Sequence, residues 1–510
     1  MKKIKYIFLM ALTASFIACD VNNDLDEIPA EVVVLPTPTA GSADFSNFVS
    51  IGASFTAGFS DGSVFLAAQS RSFPSIMASK MANVGGGSFT QPLVSDNVGG
   101  LLFLGTPISN PRLFFNGAGP AVLPGTPTTE VSNILTGPFN NMGVPGAKSF
   151  HMVAPGYGNV GGVGVSANPY YVRMASSPGA TVLGDAAAQN PTFFTISEIG
   201  GNDVLGYATS GGTGTVQTGN PNPISYGPND ITDPGLFAQV FTSMVTTMTA
   251  NGAKGAVVTV PSIVNLPFFT TVPYNAVPLD AATAAQLNAA YATYNANLLP
   301  AITGANALGA LGMTPEEIAA EAARRTINFT AGQNAVVIID EDLTDLTGIN
   351  PLLASMRQAT ADDFLVLTSS SFIGTTVGGN PALINGVSVP LADNWVLTPE
   401  EQNNIQTATD AYNATIIAVG NANGLAVVDL DGLLTEAATS GTQFDEFTMT
   451  TSLVFGGMVS LDGIHLTSRG YALMGNKILE AIDATYGSNF VASGNVAKAA
   501  NYPTNYPPGI

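Results

Sequence analysis

Near the C-terminal end, Asp462 and His465 stand three residues apart in Asp462-Gly463-Ile464-His465-Leu466-Thr467. The chain holds only two histidines, so imidazole chemistry has at most two places to occur. A carboxylate in the same loop can reach Nδ1, fix the tautomer and leave Nε2 free as a general base. Such a base needs a nucleophile, and Ser54 supplies one at the other end of the chain, in Phe48-Val49-Ser50-Ile51-Gly52-Ala53-Ser54-Phe55-Thr56-Ala57-Gly58.

The elements that must carry these residues are short apolar strands ending in glycine turns. The run before Ser54 is β-prone and stops at Gly52, and in a parallel α/β sheet such a strand ends at the rim where ligands bind. A second run, Thr192 to Ile199, ends in Gly200-Gly201-Asn202-Asp203, which puts the Asn202 amide at the same rim as a donor to an oxyanion. All four residues of that block also favour plain turns. Asn141-Met142-Gly143-Val144-Pro145-Gly146-Ala147 is expected to be a glycine and proline turn, with the Gly146 N–H as a further donor.

These four pieces, in this order, resemble the blocks of the SGNH (GDSL-type) hydrolase family. Gly52 to Gly58 resembles the block with the nucleophilic serine, and Asn141 to Ala147 the block whose glycine donates to the oxyanion. Gly200 to Asp203 resembles the third block, and Asp462 to Tyr471 the last. The resemblance implies a Ser54–His465–Asp462 triad, with Ser54 N–H, Gly146 N–H and Asn202 forming the oxyanion hole. It implies a flavodoxin-like parallel sheet with helices on both faces, and hydrolysis of carboxylic acyl esters by an esterase or lipase. A glycan O-deacetylase of the same family, or an inactive surface-binding lipoprotein, are the alternatives. One position departs from the pattern. The family places Asp or Asn before the serine, where it orders the loop, and this chain has Ala53. The other histidine, His151, lies just past the second block without an acidic neighbour in sequence, so it reads as structural or substrate-lining.

The N-terminus reads as an export signal: Lys2, Lys3 and Lys5, then an apolar run from Tyr6 to Ala18, too short for a comfortable transmembrane helix. It ends at Cys19, the only cysteine, and Phe16-Ile17-Ala18-Cys19 resembles a loose bacterial lipobox. Lipidation at Cys19 is therefore expected, with residues 1–18 removed as the signal and 19–44 a flexible tether. Asp20, Asp24, Asp26 and Glu27 resemble the acidic surface-export signals of Bacteroidetes lipoproteins, pointing to an exported chain anchored in an outer membrane.

Fifteen basic residues against 36 acidic give a net charge of −21, from which a positive groove for nucleic acid is hard to build. Neutral esters, lipids and glycans remain open as substrates. The triad chemistry calls for no metal or organic cofactor, and two histidines with one cysteine argue against a transition-metal site. The acidic run Asp340-Glu341-Asp342 with Asp345 lacks the glycine and terminal glutamate of an EF-hand.

Because Ser54 and His465 must meet, residues 45–485 are expected to form one catalytic unit, with insertions at about 59–139 and 261–398 and an irregular tail over 486–510. Helices are expected over Ser72–Met81, through Leu236, Val240, Met244 and Met248, from Thr398-Pro399-Glu400-Glu401, and from Ser468 to about Ile482. Ala256–Pro261, Val336–Ile339 and Ala426–Val428 read as buried parallel strands, which with the helices give an α/β fold. Leu279 to Ala296 and Leu397 to Ala414 share a spacing, either as a duplicated helix–strand unit or as two unrelated helices. Phe59, Phe65, Leu101, Leu102, Phe103, Phe114 and Phe115 could line an acyl groove or form the first insertion's own core.

Overall fold

A computed structural model describes residues 34–510. The lipobox, Cys19 and most of the expected tether lie outside the described residues. Residues 38–510 form one compact unit, so the packed chain begins ahead of residue 45 and includes the tail.

At its centre is a five-stranded parallel sheet: β1 (Phe48–Gly52), β2 (Asn141–Gly143), β3 (Phe193–Ser197), β4 (Lys254–Val258) and β5 (Ala426–Val428). The order across the sheet is β5–β4–β3–β1–β2. The chain therefore steps from β1 to one side and then returns to its other side, which makes the ends of β1 and β3 the switch point where α/β sheets bind ligands. Register brings those ends level, with Gly52 opposite Ser197. Every residue of β1 and β3 is buried, and since alternate residues point to opposite faces, both faces of the sheet are covered.

The covering helices are α1 (Phe73–Met81), α2 (Gly201–Thr209) and α3 (Pro234–Thr249), then α5 (Pro399–Ala422) and α6 (Ser468–Tyr486), while α4 (Ala281–Ala307) packs within the second insertion. Helix α3 starts where Asp233 Oδ1 accepts the Leu236 N–H at 2.8 Å, and it buries Leu236, Val240, Met244 and Met248 along one stripe. Helix α5 opens on a capping box in which Glu401 Oε2 accepts the Thr398 N–H at 2.7 Å. Thr467 caps α6 through the Gly470 N–H at 3.0 Å.

Two expectations need correction. Asn141–Gly143 is the edge strand β2 rather than part of a turn, because its pairing with β1 overrides the weak β preference of Asn and Gly. Val337–Ile339 is a buried strand outside the central sheet, paired antiparallel with Met356–Gln358. It belongs to the second insertion, which has its own hydrophobic core, including Val272, Tyr294, Ile302, Val337 and Val396. The tail is irregular but packed, since Tyr506 is buried and Arg112 Nη2 donates to Pro507 O at 2.6 Å. The two similar segments do form helices that use matching residues alike. Asn295 brackets Ile327 through its N–H and C=O at 3.0 and 2.8 Å, and Asn413 brackets Val260 at 2.7 and 2.9 Å. The strands that follow them lie in different sheets, so the likeness is confined to the helices.

Candidate active site

Strand β1 ends at Gly52, and Ser54 opens a one-turn helix, Ser54–Ala57, at the sheet's switch point. A Cβ at Gly52 would fall on Thr56 Oγ1 and within 2.7 Å of Ser197 O, so only glycine lets the turn fold back over β3. Ser54 Oγ has no hydrogen bond among the described residues, and the Ser54 N–H donates to no protein acceptor.

His465 and Asp462 meet as their spacing suggested. His465 Nδ1 lies 2.8 Å from Asp462 Oδ2, and Asp462 Oδ1 accepts the N–H groups of Ile464 and His465, both at 2.9 Å. Ser460 Oγ and the Gly62 N–H complete the carboxylate's set at 3.0 and 2.8 Å. Burial works against the charge, but the imidazole and these donors hold Asp462 below the ordinary carboxylate range. Phe59 packs against the imidazole at 4.4 Å between ring centres, and Phe55 meets it edge-on at 5.8 Å.

Asn202 sits in the first turn of α2, and its Nδ2 donates to Ala147 O at 3.0 Å. That bond ties the Gly146–Ala147 turn to the end of β3. Gly146 itself is exposed, and its N–H donates to no protein acceptor among the described residues. Asp203 fastens the same segments from beneath, accepting Ser149 N–H and Oγ–H at 2.8 and 2.6 Å.

Two residues that the motifs did not indicate support the site. Glu198, one residue past β3, accepts the N–H groups of Ala53 and Thr56 on Oε1 at 2.5 and 3.0 Å. It is buried and sits at φ 50°, a conformation that costs a non-glycine residue about 1–3 kcal/mol. Burial pushes its carboxyl up to about 8 against the pull of these N–H donors. A carboxyl group arriving from the neighbouring strand thus holds the turn that carries Ser54. The sequence signal was a lone acid closing an otherwise apolar strand. The second residue is Asp61, which accepts the Leu461 N–H at 3.0 Å while its own N–H donates to Ser460 Oγ at 3.0 Å. It thereby braces the loop that carries Asp462. Burial raises Asp61 to about 7, with the charge of Asp462 adding to the effect.

Ser54, Glu198, Asn202, Leu266 and His465 line one pocket of about 40 Å³. A cavity of about 540 Å³ beside Met142 and Met174 is larger, but it contains none of these residues. Convergent polar groups are what a site for chemistry needs, so the smaller pocket is the candidate. Gly146 lies beside this pocket rather than on its lining. The aromatic residues of the first insertion do not line it either. Phe65 packs with Ala68 and Tyr506, and Leu101 with Val131 and Val172, in small clusters of their own. His151 is also elsewhere, stacked on Tyr157 at 4.4 Å with Nδ1 accepting the Lys148 N–H at 3.0 Å. Burial and then Lys148 lower it to about 4, which keeps it neutral.

Chemically, the pocket brings together a serine hydroxyl with its own unengaged backbone N–H, an oriented imidazole and a side-chain amide. Comparison of the chain with protein-family models, with curated proteins and with solved structures gave no match.

Proposed function

We propose that this chain is a serine esterase of SGNH type that hydrolyses carboxylic acyl esters. The observation that carries the reading is the His465–Asp462 contact at 2.8 Å in a loop that shares one pocket with Ser54 and Asn202. The strand order and the position of Ser54 at the end of β1 agree with the flavodoxin-like arrangement of that family.

Ser54 Oγ attacks the acyl carbonyl carbon as His465 Nε2 takes its proton, while Asp462 steadies the imidazolium through Nδ1–H. The oxyanion accepts hydrogen bonds from Ser54 N–H, Gly146 N–H and Asn202 Nδ2–H. Collapse breaks the C–O bond, and His465 returns the proton to the leaving alcohol. Water, deprotonated by His465, then attacks the acyl-enzyme and frees the acid and Ser54. In this scheme no step uses a metal or organic cofactor. Glu198 holds the turn through Ala53 and Thr56, which supports an ordered loop around Ser54 despite Ala53.

The small pocket favours a short acyl group, and this supports glycan O-deacetylation as the second reading over a long-chain lipase. Lipidation at Cys19 and display on an outer membrane complete the proposal. Among the described residues no helix is long and apolar enough to cross a membrane. The test is hydrolysis of p-nitrophenyl acetate, butyrate and palmitate beside a Ser54→Ala control. Turnover on acetate, lost in the control, is the expected result. No turnover together with no labelling of Ser54 by a fluorophosphonate would overturn it.

A further inference from the structure

Glu341 is far in sequence from Asp393 and Glu401, yet each of the three offers a carboxylate oxygen within 4.8 Å of the other two. Glu341 follows the strand Val337–Ile339 of the second insertion, and Asp393 begins the short turn Asp393–Trp395. Glu401 lies in the first turn of α5. Among the described residues no lysine or arginine pairs with any of the three, and nearby Arg324 is engaged by Asp340 and Glu400.

Glu401 adds an observation of a different kind. It is only 3% exposed, and while Oε2 serves the capping box, Oε1 is buried with no hydrogen-bond partner. A buried acceptor left in this way is costly, the more so when it carries charge. Gly212, just beyond α2, lies directly against this oxygen, and a Cβ there would overlap Oε1. Its neighbour Gly211 packs on the carbonyl groups of Asp393 and Val396. Bare glycine backbone therefore flanks the carboxylate of Glu401 and the carbonyl groups beside Asp393.

We propose that Glu341, Asp393 and Glu401 bind a calcium ion at the seam between the second insertion and the catalytic body. Oxygens this close together can all reach one ion at the calcium–oxygen distance of about 2.3–2.6 Å, and calcium accepts the irregular geometry that magnesium refuses. Water and nearby backbone carbonyls fill the remaining positions. The ion fastens the insertion to α5 and to the glycine turn that ends α2, the helix bearing Asn202. Of the acidic run that fails as an EF-hand, only Glu341 takes part; its partners come from another stretch of chain. The inference does not depend on the esterase reading, because binding is read without activity.

The experiment strips the full chain with EDTA, removes the chelator, and titrates calcium chloride by calorimetry and by thermal unfolding. One ion per chain and a higher unfolding midpoint are expected, with magnesium giving a much weaker response. Glu341→Gln should weaken binding by at least about tenfold, and Glu401→Gln should abolish it. Because Glu401 also caps α5, its variant can fail to fold. Glu341 is exposed, so Glu341→Gln and Asp393→Asn keep the test decisive. No binding up to about 10 mM calcium, beyond the range of extracellular calcium modules, would overturn the proposal. So would binding unchanged in both of those variants, or an equal response to magnesium.

Discussion

Glu198→Gln tests the account of the turn that carries Ser54 without reference to activity. The amide keeps an acceptor for the N–H groups of Ala53 and Thr56, but it cannot ionise. In the native chain, burial raises this carboxyl from 4.5 to about 8. A group whose proton affinity is higher in the folded state stabilises the fold fully below about pH 4.5, and that contribution is lost as pH rises through 8. At about 1.4 kcal/mol per factor of ten in affinity, the whole excursion is on the order of 5 kcal/mol. The stability difference between native chain and variant should therefore move by several kcal/mol in favour of the variant between pH 5 and pH 9. Urea unfolding can be followed by Trp395 fluorescence together with circular dichroism, since this is the only tryptophan. Groups that titrate alike in both proteins cancel in the difference. Parallel stability curves from pH 5 to 9 would refute the reasoning, because they would mean that Glu198 ionises as if exposed.

Asn202→Ala should lower kcat on p-nitrophenyl acetate by about 10²–10³-fold with a smaller change in KM, and full turnover would remove Asn202 from the oxyanion role. Asp462→Asn should reduce kcat by about 10⁴-fold, because the amide favours the wrong tautomer of His465; a loss below tenfold in the same assay would contradict the triad. Arg357 is buried, bonded to both oxygens of Asp363 at 2.6 and 2.7 Å and to Asp340 at 2.5 Å. Arg357→Met should cost about 3–5 kcal/mol in urea unfolding by leaving buried carboxylates unpaired, and a cost under about 1 kcal/mol would show that the network is not structural.

What could be read in the sequence followed how local each signal was. Thr398-Pro399-Glu400-Glu401 contains its own cap, and the structure starts α5 there. Asp462 and His465 share one loop, so their contact needed only the spacing to be noticed. The apolar runs before Ser54 and Asn202 were buried strands, as expected. Signals that depend on distant partners were not legible. Asn141-Met142-Gly143 becomes a strand only because β1 lies beside it. Val337–Ile339 has the composition of a central strand, and nothing local indicates that it pairs elsewhere. Glu198 binds the Ala53 N–H from 145 positions away, a relation that exists only once β1 and β3 are in register.

The second insertion has a defined relation to the pocket, and this gives the last prediction. Strands β4 and β5 are neighbours, and α5 lies between them in sequence. The chain from Pro261 to Thr398 is therefore added between the end of β4 and that helix. Loop closure costs grow only logarithmically with length, so the sheet tolerates the addition. Its first residues leave the strand at the rim, where Pro261, Ile263 and Leu266 form one wall of the pocket, and its own core is built farther along the chain. Under the proposed function, the root of the insertion sets the room for the acyl group, and Leu266 is the side chain to shorten. Leu266→Ala should open a pocket of only about 40 Å³ and raise the butyrate-to-acetate ratio of kcat/KM. A methylene accommodated in an apolar pocket is worth about 1–3 kcal/mol, so the ratio should rise about tenfold or more. Leu266 is buried, so the variant should also lose about 2–5 kcal/mol of stability, and the assay belongs well below its unfolding midpoint. An unchanged ratio in a folded, active variant would mean that this wall does not limit the acyl chain.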